Sequence, residues 1–393
     1  MKGVFDVRGR WVIGVLLIVG LLGMASVAVA QSDIPIKVRL NMMVAGDQNM
    51  VDFFQYDIAP VFEKLYPNVR VNVVGTGPGP AGSRAIIQKL QLEKKSGKAK
   101  WGIDVAVVHE IGAAWAVKDG LLRKYTDFLV ARRLVTRGTA KMALGVNVDG
   151  YVMPMFHSQT ALAYNPKYVK NPPHSYAELV KWVKKHPKKF GYNGVKHGAS
   201  GISFTAGWLY WKSGQIDILT KGPYNKKYEK SWPKIFGALK EFNKYVTLTS
   251  GNAGTLDALN RGEIYIGPVW VDMFYTWMRN GRIDPSLRLL IPAPGMPGQP
   301  MHYVIPKKAA NADYALKLIE LVSSPKMQAK YIVDKFNWYP AIGDQYVKPY
   351  VSKETLHRLY RDITPEDLLK YGKPFPLTKY FEDMLEAYEK YTE

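Results

Sequence analysis

Hydrophobic positions along the chain change period several times, and each change marks an element. Ile36, Val38 and Leu40 alternate with Lys37 and Arg39, a period of two that predicts a strand with one buried face. Helical spacing follows from about Met50 to Leu65, with Pro60 expected to bend or restart the helix. Pro67 and Asn68 turn the chain into a second alternating strand, Val69 to Val74. Gly75 to Gly82 is too rich in Gly and Pro for regular structure, and Ser83 is expected to cap a helix carrying Ile86, Ile87, Leu90 and Leu92. Ile103 to Val108 reads as a buried strand, and Ile111 to Lys118 as the helix after it. This rhythm predicts an α/β fold with a parallel sheet.

The rest of the chain keeps the mixed character. Gly150 to Met155 predicts one short strand and Ala161 to Tyr164 another, closed by Asn165-Pro166. Ser175 and Glu178 have the spacing of a capping box for a helix through Val183. A helix from Asn311 or Ala312 carries Tyr314, Ala315, Leu318, Ile319 and Val322 on one face. Ser324-Pro325 and Thr364-Pro365-Glu366-Asp367 predict further helix starts, and Tyr380, Phe381, Met384, Leu385 and Tyr388 line the last helix. There is no internal repeat and no long linker, which favours lobes joined by several crossings.

Composition narrows the classes. With 393 residues, 47% of them hydrophobic, the chain can build a large core without staples. The absence of cysteine excludes disulfides, thiolate metal sites, a Cys nucleophile and a lipidated mature N-terminus. None of the 7 histidines falls in an HxH or HExxH spacing, so no metal site is expected. No Walker A or dinucleotide fingerprint occurs, and no cofactor is expected. The net charge of +21 invites a nucleic-acid reading. The lysines are nevertheless spread along the chain, and even the runs at 181–189 and 221–230 are mixed with aromatic residues, Pro or Gly. They read as solvated faces, with no nucleic-acid partner.

Lys2, Arg8 and Arg10 precede an apolar stretch from Trp11 to Ala30 that ends in Ala28-Val29-Ala30, a small-x-small cleavage pattern. Residues 1–30 are therefore expected to be a signal peptide, with an uncleaved anchor over 11–30 as the alternative. Either way the body lies outside the cytoplasm.

Several segments, in order, carry a resemblance. They are Pro60 to Val69; Gly102-Ile103-Asp104-Val105 with Gly120-Leu121-Leu122; Gly150 to Pro154; Ala163 to Pro166; Pro172 to Leu179; and Leu259 to Glu263 with Gly267-Pro268-Val269-Trp270. Together they resemble the family 1 extracellular solute-binding proteins, which include binders of maltose and other sugars, iron and polyamines. The branch near the thiamine and polyamine binders is the most similar. The resemblance implies a periplasmic-binding-protein-like fold of two α/β lobes, joined by a three-crossing hinge with the ligand cleft between them. The crossings are expected near Phe156–Ala161, Ile291–Pro294 and Asn337–Ile342. Lobe one would then be 34–158 plus 295–337, and lobe two 159–294 plus 338–393. The implied function is capture of a small solute by hinge closure and delivery to the membrane permease subunits of an ABC-type importer, by a monomer.

Candidate ligand-binding residues follow from strand ends and crossings. Trp270, presented by a Gly-Pro turn, matches an aromatic that packs on a pyranose face in sugar-binding relatives; lobe packing is the other reading. Trp208, Tyr210 and Trp211 offer a second platform or a helix core. Trp338 and Tyr339 sit at the third crossing, where they would touch ligand and hinge. Asp47, Gln48 and Asn49 follow the first strand and fall where relatives in the resembled family place ligand-contacting polar groups; turn formation or helix capping is the other reading. His157, Ser158 and Gln159 lie at the first crossing, as hydrogen-bonding ligand contacts or as a surface loop, and Arg84 stands beside the free amides of the Gly-rich loop, an arrangement suited to an anion. The 12% aromatic content favours a sugar, polyol or flat heterocycle. Iron is disfavoured by the lack of a Tyr-Tyr pair, and polyamines by a shortage of cleft carboxylates beyond Asp47 and Asp272. An enzyme is not expected: Ser231-Trp232-Pro233-Lys234 spells SxxK, but both KSG triplets precede it and Pro233 spoils the turn. A surface-anchored sensor or adhesin with the same fold, or an exported hydrolase, is the alternative.

Overall fold

The computed structural model describes residues 35–392, so the signal-peptide and anchor readings of residues 1–30 lie outside the described residues. Among the described residues the strands used below are β1 (Val38–Ala45), β2 (Val69–Gly77), β3 (Val105–His109), β4 (Val152–Tyr164), β5 (Ile266–Trp270), β6 (Arg288–Leu290), β7 (Met296–Val304), β8 (Tyr339–Pro340) and β9 (Gly372–Lys373). They form one sheet of order β6-β4-β7-β3-β1-β2, with β5 and β8 also on β4 and β9 on β7. The first three strands are parallel, as the sequence rhythm predicts, and β7 runs antiparallel to both β3 and β4.

The helices that matter are α1 (Gln48–Asp52), α2 (Ala59–Leu65), α3 (Gly79–Lys95), α4 (Glu110–Lys118), α5 (Tyr176–Lys185), α6 (Ala199–Ser213), α7 (Trp232–Asn243), α8 (Gly251–Asn260), α9 (Val271–Arg279) and α10 (Thr378–Thr392). A π-helical stretch, Phe53–Ile58, joins α1 to α2 just ahead of Pro60. There the missing proline N–H would have broken an ordinary ladder. Met42, Val44, Val105, Val107, Phe53 and Phe62 bury the inner face of this half, while Phe190, Phe204, Trp208 and Phe242 build a second aromatic core around α6 and α7.

Several local expectations are corrected. The two short strands expected at 150–155 and 161–164 are one strand, β4. Its first part pairs with β7 and its last part with β5 and β6, so a single continuous strand serves both halves of the sheet. The Gly-rich loop is shorter than expected: β2 runs to Gly77 and α3 starts at Gly79, so Ser83 is buried inside the helix instead of capping it. Leu92 is exposed, since the buried stripe of α3 is Ile86, Ile87 and Leu90. At α5 the Ser175 hydroxyl accepts the Glu178 amide, but the Glu178 carboxylate returns to the amide of His174.

The fold is periplasmic-binding-protein-like. β4, β7 and β8 meet side by side: Tyr339 pairs with His157 and Pro340 with Phe156, while Gly298 pairs with Gln159.

Candidate functional site

The carboxyl ends of β1, β3 and β5 converge with the first turns of α1, α3, α6, α8 and α9, which is where an α/β sheet collects ligands. Between them lies a narrow cavity of about 510 Å³, counting space open to solvent. Asp47, Met50 and His109 line it from the β1–β3 side, and Asn252, Trp270 and Asp272 from the α8–β5–α9 side. Phe156, Ser158, Gln299 and Met301, on β4 and β7, line it between the two. Gly46 takes φ +143, a conformation that L side chains rarely adopt, as the chain leaves β1 for Asp47.

The two sides already touch. Asn252 donates from Nδ2 to Asp47 Oδ2 at 3.3 Å. The Asn252 carbonyl is fixed in turn by the Ser200 hydroxyl at 2.8 Å, the Ser200 amide at 3.2 Å and Asn193 Nδ2 at 3.2 Å. Close approach of α6 to Asn193 and Gly194 depends on Gly201, where a Cβ would run into the Gly194 carbonyl oxygen.

Two carboxylates share this cavity. Burial pushes Asp272 up to about 6, and the neighbouring Asp47 pushes the same way, against the Ser158 hydroxyl and the amides of Asp272 and Met273. Burial also raises Asp47, opposed by its Asn252 contact. Beside them His109 is neutral: burial lowers it to about 4, and its Nδ1 shares a 3.1 Å hydrogen bond with Ser83 Oγ. The cavity therefore presents a concentration of unneutralised acceptors, with Trp270, Met50, Met273 and Phe156 as its apolar surface.

Of the residues singled out from sequence, Asp47, Asn49, Ser158 and Trp270 line this cavity, as does the carboxylate noted at Asp272. Gln48 is exposed and donates to Asp52 at 2.8 Å. Arg84 is also exposed, its guanidinium 4.2 Å above the Trp115 ring, although Gly79 of the same loop reaches the cavity. Trp208 and Tyr210 are buried in the α6 core, donating to the carbonyls of Ile235 and Pro374. Trp338 and Tyr339 are buried at the crossing, stacked on Phe156 and Tyr360. His157 and Gln159 lie on β4 but alternate with Phe156 and Ser158, so they line a different cavity. His109, Asn252 and Gln299 carried no sequence signal beyond their nearness to strand or helix ends.

Glu110, in the first turn of α4, is buried and raised to about 8 by desolvation, against a backbone hydrogen bond from Leu144. Its carboxyl is protonated in the fold but ionised in the unfolded chain above its ordinary value of 4.5. Its contribution is therefore intact below that value and is lost as pH rises towards 8. Glu110→Gln is expected to melt higher than the native chain at pH 8 and at the same temperature near pH 4.5. Equal melting curves at pH 8 would show that Glu110 is not buried as described.

Residues 58–349 match the family described as bacterial extracellular solute-binding protein, and the chain belongs to that family. Among solved structures it is similar to maltose-bound MalE3 of T. maritima, 15% identical over 90% of this chain and 95% of that one, with a TM-score of 0.71. The spermidine/putrescine ABC transporter substrate-binding protein PotD of Streptococcus pneumoniae is 14% identical over 90% of this chain and 99% of its own, TM-score 0.66. A periplasmic thiamin binding protein is 17% identical over 90% and 96%, TM-score 0.60. No curated protein sequence matches the chain. The family and these neighbours are binding proteins, and the family is extracellular. No helix among the described residues is long and apolar enough to cross a membrane.

Proposed function

We propose that this protein is a monomeric extracytoplasmic receptor that closes its two lobes on a small amine-bearing solute and delivers it to the permease of an ABC-type importer. The lobes are taken as 34–158 plus 295–337 and 159–294 plus 338–393, with export directed by residues 1–30 and no catalytic step. The observation that carries the solute class is the pairing of Asp47 and Asp272, from opposite sides of the cleft, beside Trp270. Two carboxylates held above their ordinary range pay a desolvation cost that an ammonium group would relieve. An indole face attracts the same charge.

A sugar, polyol or flat heterocycle, favoured on aromatic content, has less support. Of the aromatic residues that suggested stacking, Trp270 lines the cleft, whereas Trp208, Tyr210, Trp338 and Tyr339 are buried in cores. The solved relatives named above span both classes, so the choice rests on the cleft. The test is a melting-temperature screen of the purified chain with putrescine, spermidine, choline and thiamine against maltose and sorbitol. An amine at about a hundred times its dissociation constant should add roughly 2.7 kcal/mol of stability. A saturable shift with maltose or sorbitol, and none with the amines, would overturn the reading.

A further inference from the structure

The strands beneath the cleft have a second face. On β4 and β7, residues that line the cleft alternate with His157, Gln159, Gly298 and Pro300, which line a cavity of about 910 Å³ behind it, again counting space open to solvent. The two cavities share no lining residue. The rear one is walled by Glu110 and Arg137 on one side and by the segment from Asp344 to Pro374 on the other.

Polar groups in and beside this rear cavity lack partners. Nη1 of Arg137 is buried with no hydrogen-bond partner among the described residues, and so is Nδ1 of His157. The hydroxyl of Tyr339, the residue paired with His157 across the strands, is in the same condition. A buried guanidinium N–H without an acceptor is costly, and an oxygen ligand would remove that cost. The other charges there are already engaged. Asp344 accepts the Tyr360 hydroxyl at 2.8 Å, and Lys373 donates to the Lys370 carbonyl at 2.6 Å.

We propose that the rear cavity is a second binding site, separate from the solute cleft, and that it takes a monocarboxylate whose head group pairs with Arg137. A planar guanidinium matches a carboxylate edge in two parallel hydrogen bonds. His157, kept neutral by burial and by the positive charge of Arg137, can donate a third bond from Nδ1. The charge count suits a monoanion: Arg137 and Lys373 face the single carboxylate of Asp344, while Glu110 is held protonated by burial. A phosphate dianion would leave excess negative charge beside Asp344. Pro365, Leu368 and Pro374 add an apolar wall for a short alkyl tail.

The test is a calorimetric titration of the purified full chain with sodium butyrate at fixed ionic strength, compared with 1-butanol and inorganic phosphate. Saturable butyrate binding is expected, with neither 1-butanol nor phosphate competing. Arg137→Gln should weaken it at least tenfold, whereas Asp272→Asn, in the cleft, should leave it unchanged; this keeps the site's fate separate from that of the amine reading. Arg137→Lys, which keeps the charge but loses the fork, should fall between. No saturable heat with butyrate, equal competition by 1-butanol, tighter binding of phosphate, or full affinity in either Arg137 variant would each overturn the proposal. The first three need only the native chain, so the test survives a variant that fails to fold.

Discussion

Asp272→Asn is expected to weaken binding of an amine such as putrescine or spermidine by about a hundredfold, roughly 2.7 kcal/mol, without lowering the melting temperature of the empty protein. Asparagine keeps the shape and can still meet the Ser158 hydroxyl, but it cannot carry the charge that an ammonium group needs. Asp272 is already held near 6 because burial and Asp47 both oppose its ionisation. Replacing it removes a group that resists burial, so the fold loses nothing. Binding needs the carboxylate, so affinity in the native chain should be fully present above about pH 6 and fall about tenfold per unit below it. Asp47, raised in the same direction, steepens that fall. His109 titrates near 4 and stays neutral across the window. Calorimetry at pH 5 and pH 7.5 on native chain and variant decides the matter. A flat profile in the native chain, or an unchanged affinity in the variant, would rule out Asp272 as the cation partner.

How much of this was legible in the sequence follows from the range of each signal. The strand–helix rhythm up to Lys118 is local and period-driven, and it predicts β1 to β3 with their helices. The resemblance of ordered segments implied the family and the crossings. What periodicity could not give was continuity: Pro154 looks like the end of a strand, yet from Val152 to Tyr164 the chain is a single strand. Pro154 is tolerated because β4 itself bulges beside it: Phe156 pairs with Met301 and Pro154 with His302, leaving Met155 as the extra residue.

The site was legible in part. Asp47 and Trp270 follow strand ends, and both reach the cavity. Choosing among residues 156 to 159 required knowing which face of β4 meets the cleft, a fact set by pairing with β7 and absent from the local sequence. The large aromatics misled for a physical reason. Trp and Tyr within helices and at crossings are equally suited to stacking on a ligand and to filling a core, and Trp208 and Tyr210 resolve the matter by donating to backbone carbonyls inside it.

Trp338 is the position where that ambiguity has the largest energetic consequence. It is fully buried, stacked on Phe156 with ring centres 4.4 Å apart, and packed against Phe336 at 4.8 Å and Phe53 at 5.7 Å. Trp338→Ala is expected to cost about 3–5 kcal/mol of unfolding free energy, because three rings from three segments would border the void. Trp338→Phe should recover most of it. The indole Nε1 has no partner among the described residues, so the ring's value lies in packing and not in a hydrogen bond. Phe156 lines the solute cavity while stacked on this indole, so the alanine variant should also bind solute more weakly although Trp338 itself does not line that cavity. Denaturant melts and solute titrations on both variants separate the two roles. A loss of affinity in Trp338→Ala at unchanged stability would place the indole against the ligand. Loss of both, restored together by phenylalanine, would place it beneath the crossing as the packing on which the cleft-facing side of β4 rests.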